Sequence, residues 1–377
     1  MINLFKICII GKYLFDVIKG GKVMSLKTKL VMIITMLLGG FFGLLNETLL
    51  TTALPSIMKD FHIQYSQVQW LTTAFLLTNG VVIPLSALVI QRFTTRQVFL
   101  TGILIFFVGT IVGGFSPNFT TLLFARIVQA LGSGIMMPLM MTSILDIFEP
   151  HERGKYMGFF GLVIGLAPAI GPTLSGYLVE YFNWRSLFHV VAPIAAITFI
   201  IALFTVKNVG QNIKVPIDVI SIILSILGFG GLLYGTSSIS HDGWDDPIVL
   251  STIIGGIILV VLFIWRQSRL DTPLLNFGVF KNKQFTIGLL IMAVTMISMI
   301  GSETVLPMFV QNLLNKPALD SGLILLPGAI VMAIMSMTSG AMYEKFGAKP
   351  LAIIGMLIVI ITTSYFVVMD EHTSTVM

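Results

Sequence analysis

The sequence predicts an all-helical integral membrane protein. Of its 377 residues, 56% are hydrophobic and only 10% are charged, and the mean hydropathy is +0.97. Soluble domains carry about 25% charged residues, so the composition argues against a soluble protein. The apolar residues fall into eleven stretches long enough to cross a bilayer as helices, at about 20 residues each. These stretches lack the alternation of membrane β-strands, which makes the predicted fold class all-α.

The predicted spans follow one another through short spacers with turn signals, such as SPNF, HDGWDDP and NKPALDSG. Numbered 1 to 11, they run over approximately 30–57, 68–90, 98–115, 121–146, 157–178, 187–206, 217–237, 248–265, 285–308, 319–341 and 350–368. Gly (35), Met (21) and Phe (28) are abundant, as is typical where helices pack against each other and against lipid. Each span is therefore expected to be one helix of a packed bundle.

Lys and Arg are distributed unequally between the two sides of the membrane. Sixteen lie on the side of the N-terminus: Lys19, Lys22, Lys27, Lys29, Arg92, Arg96, Arg153, Lys155, Lys207, Lys214, Arg266, Arg269, Lys281, Lys283, Lys345 and Lys349. Three lie on the other side: Lys59, Arg185 and Lys316. Cytoplasmic loops are enriched in these residues, so the N-terminus is predicted to be cytoplasmic. The same distribution accounts for the net charge of +5 without a nucleic acid partner.

Residues 1–29 precede the first span and are predicted to form a cytoplasmic segment. Charged residues interrupt 1–23 every few positions, so no run there can span, and no small-residue cleavage site indicates a signal peptide. One interpretation is an amphipathic helix on the membrane surface. The other, which we favour, is that translation starts at Met24, because codons for Lys-Gly-Gly just upstream can spell a purine-rich ribosome-binding sequence.

Residues that bind metals or catalyse reactions are sparse. Cys8 is the one cysteine and the five His residues show no ligand-like spacing, which argues against a disulfide framework, a zinc site or a haem site. The sequence has neither a Gly-rich phosphate-binding loop nor a nucleophile–base constellation. We therefore expect no bound cofactor, no metal and no catalytic residue, and a membrane enzyme is a remote alternative.

Two acidic residues, Glu47 and Glu303, lie well inside predicted spans. A charged carboxylate that faces lipid there costs about 2.5 kcal/mol or more. At ~1.5 Å per residue, Glu47 lies about 12 Å and Arg126 about 8 Å from the same outer face. Arg126 is therefore the predicted charge partner of Glu47, with Asn46 and Gln129 within hydrogen-bonding reach. The alternative for both acids is a structural interhelical hydrogen bond made by a protonated carboxyl group.

Small residues form smooth faces on spans 5 and 10. On span 5 the face consists of Gly161, Gly165, Pro172 and Gly176, with Pro168 or Ala169 between them. On span 10 it consists of Gly322, Ala329, Ala333, Ser336 and Gly340. Such faces let two helices approach closely and rock against each other, as alternating access requires. Ordinary close packing of membrane helices is the alternative interpretation.

Several motifs resemble those of transporters of the major facilitator superfamily. In span 5, GLAPAIGPTLSG resembles the antiporter motif, whose residues here are Gly161, Gly165, Pro168, Gly171, Pro172 and Gly176. In span 4, RIVQALGSG, with Arg126 and Gln129, resembles the helix-4 motif. NETLLTTALP, ERGKYMGFFG, YFNWRSLF and PLLNFGVFKNKQF resemble the fourteen-helix drug:proton antiporters of the EmrB, QacA and LmrB type. The similarity extends from about residue 30 to the end of the sequence.

The resemblance implies a gating loop between spans 2 and 3. The family pattern, G-x-L-x-D-R-x-G-R-R, is degenerate here, because ALVIQRFTTR has Gln in place of the acid. Arg92 and Arg96 keep the positive charge and would pair with Asp146 at the end of span 4, or else serve only as cytoplasmic anchors. A second copy, GAMYEKFGAK after span 10, fits better and contains Glu344 and Lys345.

The resemblance also implies the fold and its division into parts. The expected architecture is a major facilitator fold in which about 11 of 14 transmembrane helices are present, so that the chain is C-terminally truncated. A six-helix bundle is expected over 30–206, two linker helices over 207–270, and the first three helices of an incomplete C-terminal bundle over 271–377.

The implied activity is efflux of drugs or antibiotics across the bacterial cytoplasmic membrane, driven by the proton gradient. Glu47 and Glu303 would couple transport to protons, while Arg126, Asn46 and Gln129 would line the substrate path. The implied substrates are small amphipathic or cationic compounds, and the implied transporter is a monomer in the lipid bilayer.

One departure from the family and two further alternatives accompany these expectations. Members of the family often carry Asp at the position of Asn46, whereas here the acid is Glu47, one residue on and about 100° around the helix. The first alternative is a facilitator-type transporter of a metabolite, lipid precursor or osmolyte, because a fold does not determine its substrate. The second is an inactive fragment of an efflux pump.

Overall fold

The computed structural model describes residues 24–210, 218–270, 273, 275–310 and 318–365, and all regular elements within them are helical. The helices are α1 Leu26–Leu49 with a short continuation Leu54–Phe61, α2 Tyr65–Arg92, α3 Thr95–Gly114, α4 Phe119–Ile147, α5 Arg153–Tyr181, α6 Arg185–Thr205, α7 Val219–Asp242, α8 Pro247–Gln267, α9 Lys283–Met308, α10 Ala318–Phe346 and α11 Ala348–Tyr365. They correspond one to one with the predicted spans and confirm the all-α membrane fold class. The segment 1–23, with its two interpretations, lies outside the described residues.

The length of the described apolar stretch separates the first nine spans from the last two. Within the described residues, nine helical segments are long and apolar enough to cross a membrane, and they are the first nine predicted spans. In α10 and α11 the described apolar stretches are shorter, at Ile330–Gly340 and Ala348–Ser364. The predicted tenth and eleventh spans are therefore helical, but the described apolar part of each falls short of a full crossing.

Several helices begin at a side chain that accepts hydrogen bonds from free backbone N–H groups. At the start of α3, Thr94 Oγ1 accepts from Gln97 N at 3.3 Å while Gln97 Oε1 accepts from Thr94 N at 3.1 Å. At the start of α4, Asn118 Oδ1 accepts from Thr121 N at 2.9 Å. Caps of this kind stabilise a helix by about 1 kcal/mol each. They fix the points at which the polar spacers become apolar helices.

α1 is interrupted near its predicted outer end by Pro55. Proline lacks an N–H group and its ring clashes with the carbonyl four residues before it. The α-helix accordingly stops, and a 3-10 turn over Thr51–Ala53 leads into the short helix Leu54–Phe61. A freed carbonyl is taken up locally, because Thr51 Oγ1 donates to Thr48 O at 2.7 Å. The first span therefore contains the end of an α-helix, at which threonine hydroxyls bind the carbonyl groups of Thr48 and Leu49.

Helices α1 to α6 pack together, with α4 in contact with α1, α2 and α3. The backbones of α3 and α4 touch at Gly102 and Gly132, where a Cβ on Gly132 would lie 2.6 Å from Phe106 N. The shared core contains large, fully buried side chains, among them Trp184, Phe75, Phe99, Phe106 and Phe188. Small residues of α4 thus permit the close approach that membrane helices use in place of a hydrophobic driving force.

Helices α7 and α8 form a pair that is joined at one end by a polar network. Arg266 Nε and Nη2 donate to Asp218 Oδ2 and Oδ1 at 2.7 and 2.8 Å, a bidentate ion pair. Ser221 Oγ donates to Asp218 Oδ2 at 2.6 Å and accepts from Gln267 Nε2 at 2.6 Å. Leu275 N donates to Gln267 Oε1 at 3.2 Å. The network ties both helices to the segment that leads into α9.

We expect Asp218→Asn and Arg266→Gln each to lower the thermal stability of the purified protein, and the double variant to lose less than the sum. The Arg266 hydrogen bonds hold the pKa of Asp218 at about 2. The ordinary value is near 4, so this stabilisation is present above about pH 4 and is lost as the pH falls through about 2. A double-mutant cycle of unfolding free energies should show that the two single losses are not additive. Additive single effects would contradict the pairing.

The C-terminal helices contact the rest of the chain mainly through α10, which packs along α5. α9 and α11 pack on α10 and on each other, and α7 packs on α2. Large apolar side chains of α9 and α11 are exposed, such as Ile297 at 72% and Ile361 at 69%. The division into parts at 206 and 270 stays a prediction.

Candidate functional site

A buried arginine lies at the centre of a polar cluster between α1, α2, α3 and α4. Arg126 has no exposed surface, with a relative accessibility of 0%. Its Nη1 donates to Gln129 Oε1 at 3.0 Å and to Asn46 O at 3.3 Å, and its Nε donates to Leu71 O at 3.4 Å. The guanidinium also lies over the ring of Phe75, 4.1 Å from its centroid. A charge inside a membrane bundle needs such partners because lipid offers none.

Part of the hydrogen-bonding capacity of this cluster is unused. Arg126 Nη2 and Asn46 Nδ2 are buried and have no hydrogen-bond partner among the described residues. A buried donor left without an acceptor costs about 1–3 kcal/mol. Two N–H groups beside a fixed positive charge favour an oxygen acceptor, and a carboxylate is the strongest of these. The cluster is therefore chemically suited to bind and release a carboxylate oxygen.

The acid nearest to this cluster is Glu47, which is half-buried and follows Asn46 on α1. Glu47 interacts electrostatically with Arg126, but no ion pair within 4 Å joins the two side chains in the described structure. The predicted direct pairing is therefore not formed in the described structure, where Arg126 Nη1 donates to Gln129 Oε1 and to Asn46 O. The structure does bring these four residues together, as their depths in the spans predict.

Two other acids that the sequence analysis singled out are Glu303 and Glu344. Glu303 lies on α9 and Glu344 near the end of α10, but the side chains of both lie outside the described residues. Lys345 follows Glu344, and its Nζ lies 5.2 Å from the ring centroid of Phe346. Within the part of the chain that the structure describes, no group of three or more His, Cys, Asp or Glu could hold a metal ion.

The glycines of the antiporter motif face two different helices. Gly171 packs against Thr48 of α1, and a Cβ added to it would lie 2.8 Å from the threonine Cβ. Gly161 and Gly165 instead face α10, where they meet Ser336 and Met332. Pro168 and Pro172 lie within α5, which remains a continuous helix. The motif thus packs α5 against the N-terminal bundle on one side and against α10 on the other.

The contact between α5 and α10 is closest at one end. Ser336 Oγ donates to Gly158 O at 2.9 Å, and a Cβ on Gly340 would lie 2.8 Å from Gly154 O. A Cβ on Gly176, towards the other end of α5, would have no neighbour within 4 Å among the described residues. The side chains of Gly322, Ala329 and Ala333 lie outside the described residues. In the predicted orientation the end at which the helices touch is cytoplasmic.

The predicted gating arginines make other contacts than the expected one. Arg96 Nη2 donates to Leu203 O at 2.8 Å, at the C-terminal end of α6. Free carbonyls and the negative end of the helix dipole attract an arginine there. Arg92 lies in the last turn of α2, and Asp146 interacts with Arg153 rather than with either residue of the loop. The predicted pairing with Asp146 is therefore absent from the described structure.

Two further polar contacts near Arg126 were missed by the sequence analysis. Gln129 Nε2 donates to Thr110 Oγ1 of α3 at 2.9 Å, and Ser133 Oγ donates to Asn79 Oδ1 of α2 at 3.2 Å. Thr110 and Asn79 are polar residues within apolar spans. Their place inside membrane-spanning stretches is the sequence signal that could have identified them.

A second polar cluster joins the loops at the predicted outer end of the N-terminal helices. Asp60 Oδ2 accepts from Arg185 Nη1 at 2.7 Å and from Trp184 Nε1 at 3.0 Å. Arg185 Nη2 donates to Ser116 O at 3.2 Å. The YFNWRSLF motif therefore connects the start of α6 to the short helix Leu54–Phe61 and to the loop after α3. Its contacts are those of a structural brace.

Comparison with known proteins agrees with this architecture. The profile of the Major Facilitator Superfamily matches residues 36–376. The fold resembles that of the proton:xylose symporter XylE, with a TM-score of 0.58 and 13% identity over 87% of this chain and 72% of that one. At this identity the likeness concerns the fold alone.

Three relatives from Bacillus subtilis (strain 168) are similar over most of the sequence. The uncharacterized MFS-type transporter YcnB is 49% identical, covering 90% of this chain and 72% of the relative. The uncharacterized MFS-type transporter YhcA is 48% identical, covering 91% of this chain and 64% of the relative. The lincomycin resistance protein LmrB is 42% identical, covering 88% of this chain and 70% of the relative. The chain therefore belongs to the Major Facilitator Superfamily and is a multi-pass membrane transporter similar to the LmrB-type drug transporters.

Proposed function

We propose that the protein exports small amphipathic or cationic drug-like compounds across the bacterial cytoplasmic membrane in exchange for protons. The observation that carries the proposal is the half-buried acid Glu47 beside the fully buried Arg126, with unused N–H donors facing the same cluster. Intramembrane ionisable residues of this kind mark ion and proton pathways in transporters. Similarity to the lincomycin resistance protein LmrB supports a drug as substrate.

In the proposed cycle, Glu47 binds a proton when it is accessible from outside and releases it when it is accessible from the cytoplasm. The charged carboxylate is attracted to Arg126 and can accept from the free donors Nη2 of Arg126 and Nδ2 of Asn46. The protonated acid loses most of this attraction. The protonation state thereby changes how firmly α1 is held to α4, which is a local electrostatic event that can bias a transporter between two conformations.

The small faces of α5 and α10 are proposed to carry the movement between these conformations. Their described contact runs from Gly154 to Gly165, so the two helices are closed against each other on the proposed cytoplasmic side. Rocking of one helix group against the other would reverse this arrangement. Glu303, Arg92, Glu344 and the rest of the gating loops remain proposed participants.

Everted membrane vesicles test the proposed function. Vesicles that contain the full chain should accumulate lincomycin or ethidium when the interior is acidified, and a protonophore should abolish the accumulation. Vesicles without the protein provide the background. Accumulation that is equal to this background, or that persists after the pH gradient is removed, would reject proton-coupled export.

A further inference from the structure

Arginine has only hydrogen-bond donors, so a side chain that binds Arg126 must turn an oxygen towards it. Gln129 does so with Oε1 at 3.0 Å. A glutamine amide can be rotated to present its NH2 group in nearly the same place, because the two ends of the amide are similar in size. Arg126 therefore requires the oxygen end, and the NH2 end must find an acceptor of its own if the amide is to be held at both ends.

That partner is Thr110. Gln129 Nε2 donates to Thr110 Oγ1 at 2.9 Å, and the Thr110 hydroxyl donates its own proton to Phe106 O at 2.8 Å. Because the hydroxyl proton is used at Phe106, the oxygen can only accept from the amide. Thr110, Gln129 and Arg126 all have a relative accessibility of 0%, so bulk water does not compete for these groups. The chain of hydrogen bonds therefore has a single direction, from Arg126 to α3.

The backbone of α3 is close enough for this contact because of Gly109. A Cβ at that position would lie 2.7 Å from Gln129 N and 3.0 Å from Ala125 O. Any larger residue would separate α3 from α4 and move the Thr110 hydroxyl away from the amide. Gly109 thus allows the close approach of α3 and α4 that the hydrogen bond between Thr110 and Gln129 requires.

We propose that Thr110 is a positioning residue for proton coupling, which acts through Gln129 to hold the Arg126 guanidinium in register with Asn46 and Glu47. This inference rests on the proposed role of Glu47. Without the Thr110 hydroxyl, Gln129 Nε2 loses its acceptor, and the amide is held only at the end that faces Arg126. Arg126 is then held less firmly, and its attraction for the Glu47 carboxylate weakens.

The test compares Thr110→Val, which replaces the hydroxyl by a methyl group of similar size, with Thr110→Ser, which keeps it. Thr198→Val is the matched control. Thr198 lies on α6, is 2% exposed and donates to Ile194 O at 2.8 Å, the same type of bond that Thr110 makes to its own helix. Thr198 takes no part in the described hydrogen bonds of the Arg126 cluster.

The readout is the unfolding temperature of the purified full chain as a function of pH, which requires no transport substrate. For the wild type, the plot of unfolding temperature against pH should show an inflection where Glu47 titrates, and this inflection should disappear in Glu47→Gln. In Thr110→Val the inflection should move to higher pH by about half a unit or more. The Arg126 guanidinium is then held less firmly, and it stabilises the charged carboxylate of Glu47 less. Thr110→Ser and Thr198→Val should leave it unchanged. If Thr110→Val does not fold, Thr110→Ala provides the same comparison.

Two results separate the failure of this inference from the failure of its basis. An inflection that is the same in Thr110→Val and the wild type would overturn the positioning role alone. An inflection that survives Glu47→Gln would overturn both the positioning role and the proposed proton-binding role of Glu47.

Discussion

Replacement of Glu47 by glutamine is expected to abolish proton-driven export while the protein remains folded in the membrane. Glutamine has nearly the same size and can still donate and accept hydrogen bonds, but it cannot bind and release a proton. Accumulation of lincomycin or ethidium in everted vesicles should therefore fall to the level seen with a protonophore. The amount of protein in the membrane, measured in parallel, should not change.

Glu180→Gln is the matched control for this experiment. It is the same chemical change at an exposed acid near the end of α5, away from the Arg126 cluster. Export by this variant should equal that of the wild type. Undiminished export by Glu47→Gln would reject Glu47 as the coupling residue. It would favour the alternative in which the acid makes only a structural hydrogen bond, because glutamine preserves such a bond.

The helices were largely predictable from the sequence because bilayer thickness imposes one length on every span. All eleven predicted spans are helical in the described residues. The interruption of α1 could also have been read from Pro55, since proline removes a backbone donor. The exact continuation over Leu54–Phe61 depends on packing, which the sequence does not state.

The candidate site was predictable in depth but not in direction. Counting residues along two spans placed Glu47 and Arg126 at similar heights, and the structure brings them into one cluster. Height alone does not determine which way each side chain points around its helix. The sequence placed Gln129 within reach of Arg126, but it did not predict that two backbone carbonyls bind the guanidinium in place of the acid, or that Thr110 binds Gln129.

For the gating loop, the sequence predicted the positive charge but not the contact that it makes. The motif pointed to Arg96 as a positively charged residue of the loop between α2 and α3. Its contact is a carbonyl of α6, which is distant in sequence and belongs to no part of the motif. The sequence alone does not show that the start of α3 lies beside the end of α6. The contact of Arg96 could therefore not be predicted from it.

The second large effect is expected at the contact between α5 and α10, where two glycines touch but tolerate substitution differently. A Cβ on Gly340 would lie 2.8 Å from the oxygen and 2.9 Å from the carbon of the Gly154 carbonyl group. A Cβ on Gly154 would lie 3.7 Å from its nearest neighbour, the Cα of Gly340, which is an ordinary contact. Gly340→Ala should therefore force the helices apart, while Gly154→Ala should be accommodated.

We expect Gly340→Ala to reduce export several-fold and to speed amide hydrogen exchange in the first turns of α5, because the proposed cytoplasmic closure is weakened. Gly154→Ala should leave both measurements close to those of the wild type. Gly340 is interior to α10, where alanine gains about 1 kcal/mol of helix propensity, whereas Gly154 lies in the first turn of α5, where the gain is smaller. Helix propensity therefore favours Gly340→Ala, and a loss confined to that variant arises from the asymmetric contact. Equal export and equal exchange in the two variants would show that closure at this end of α5 does not limit transport.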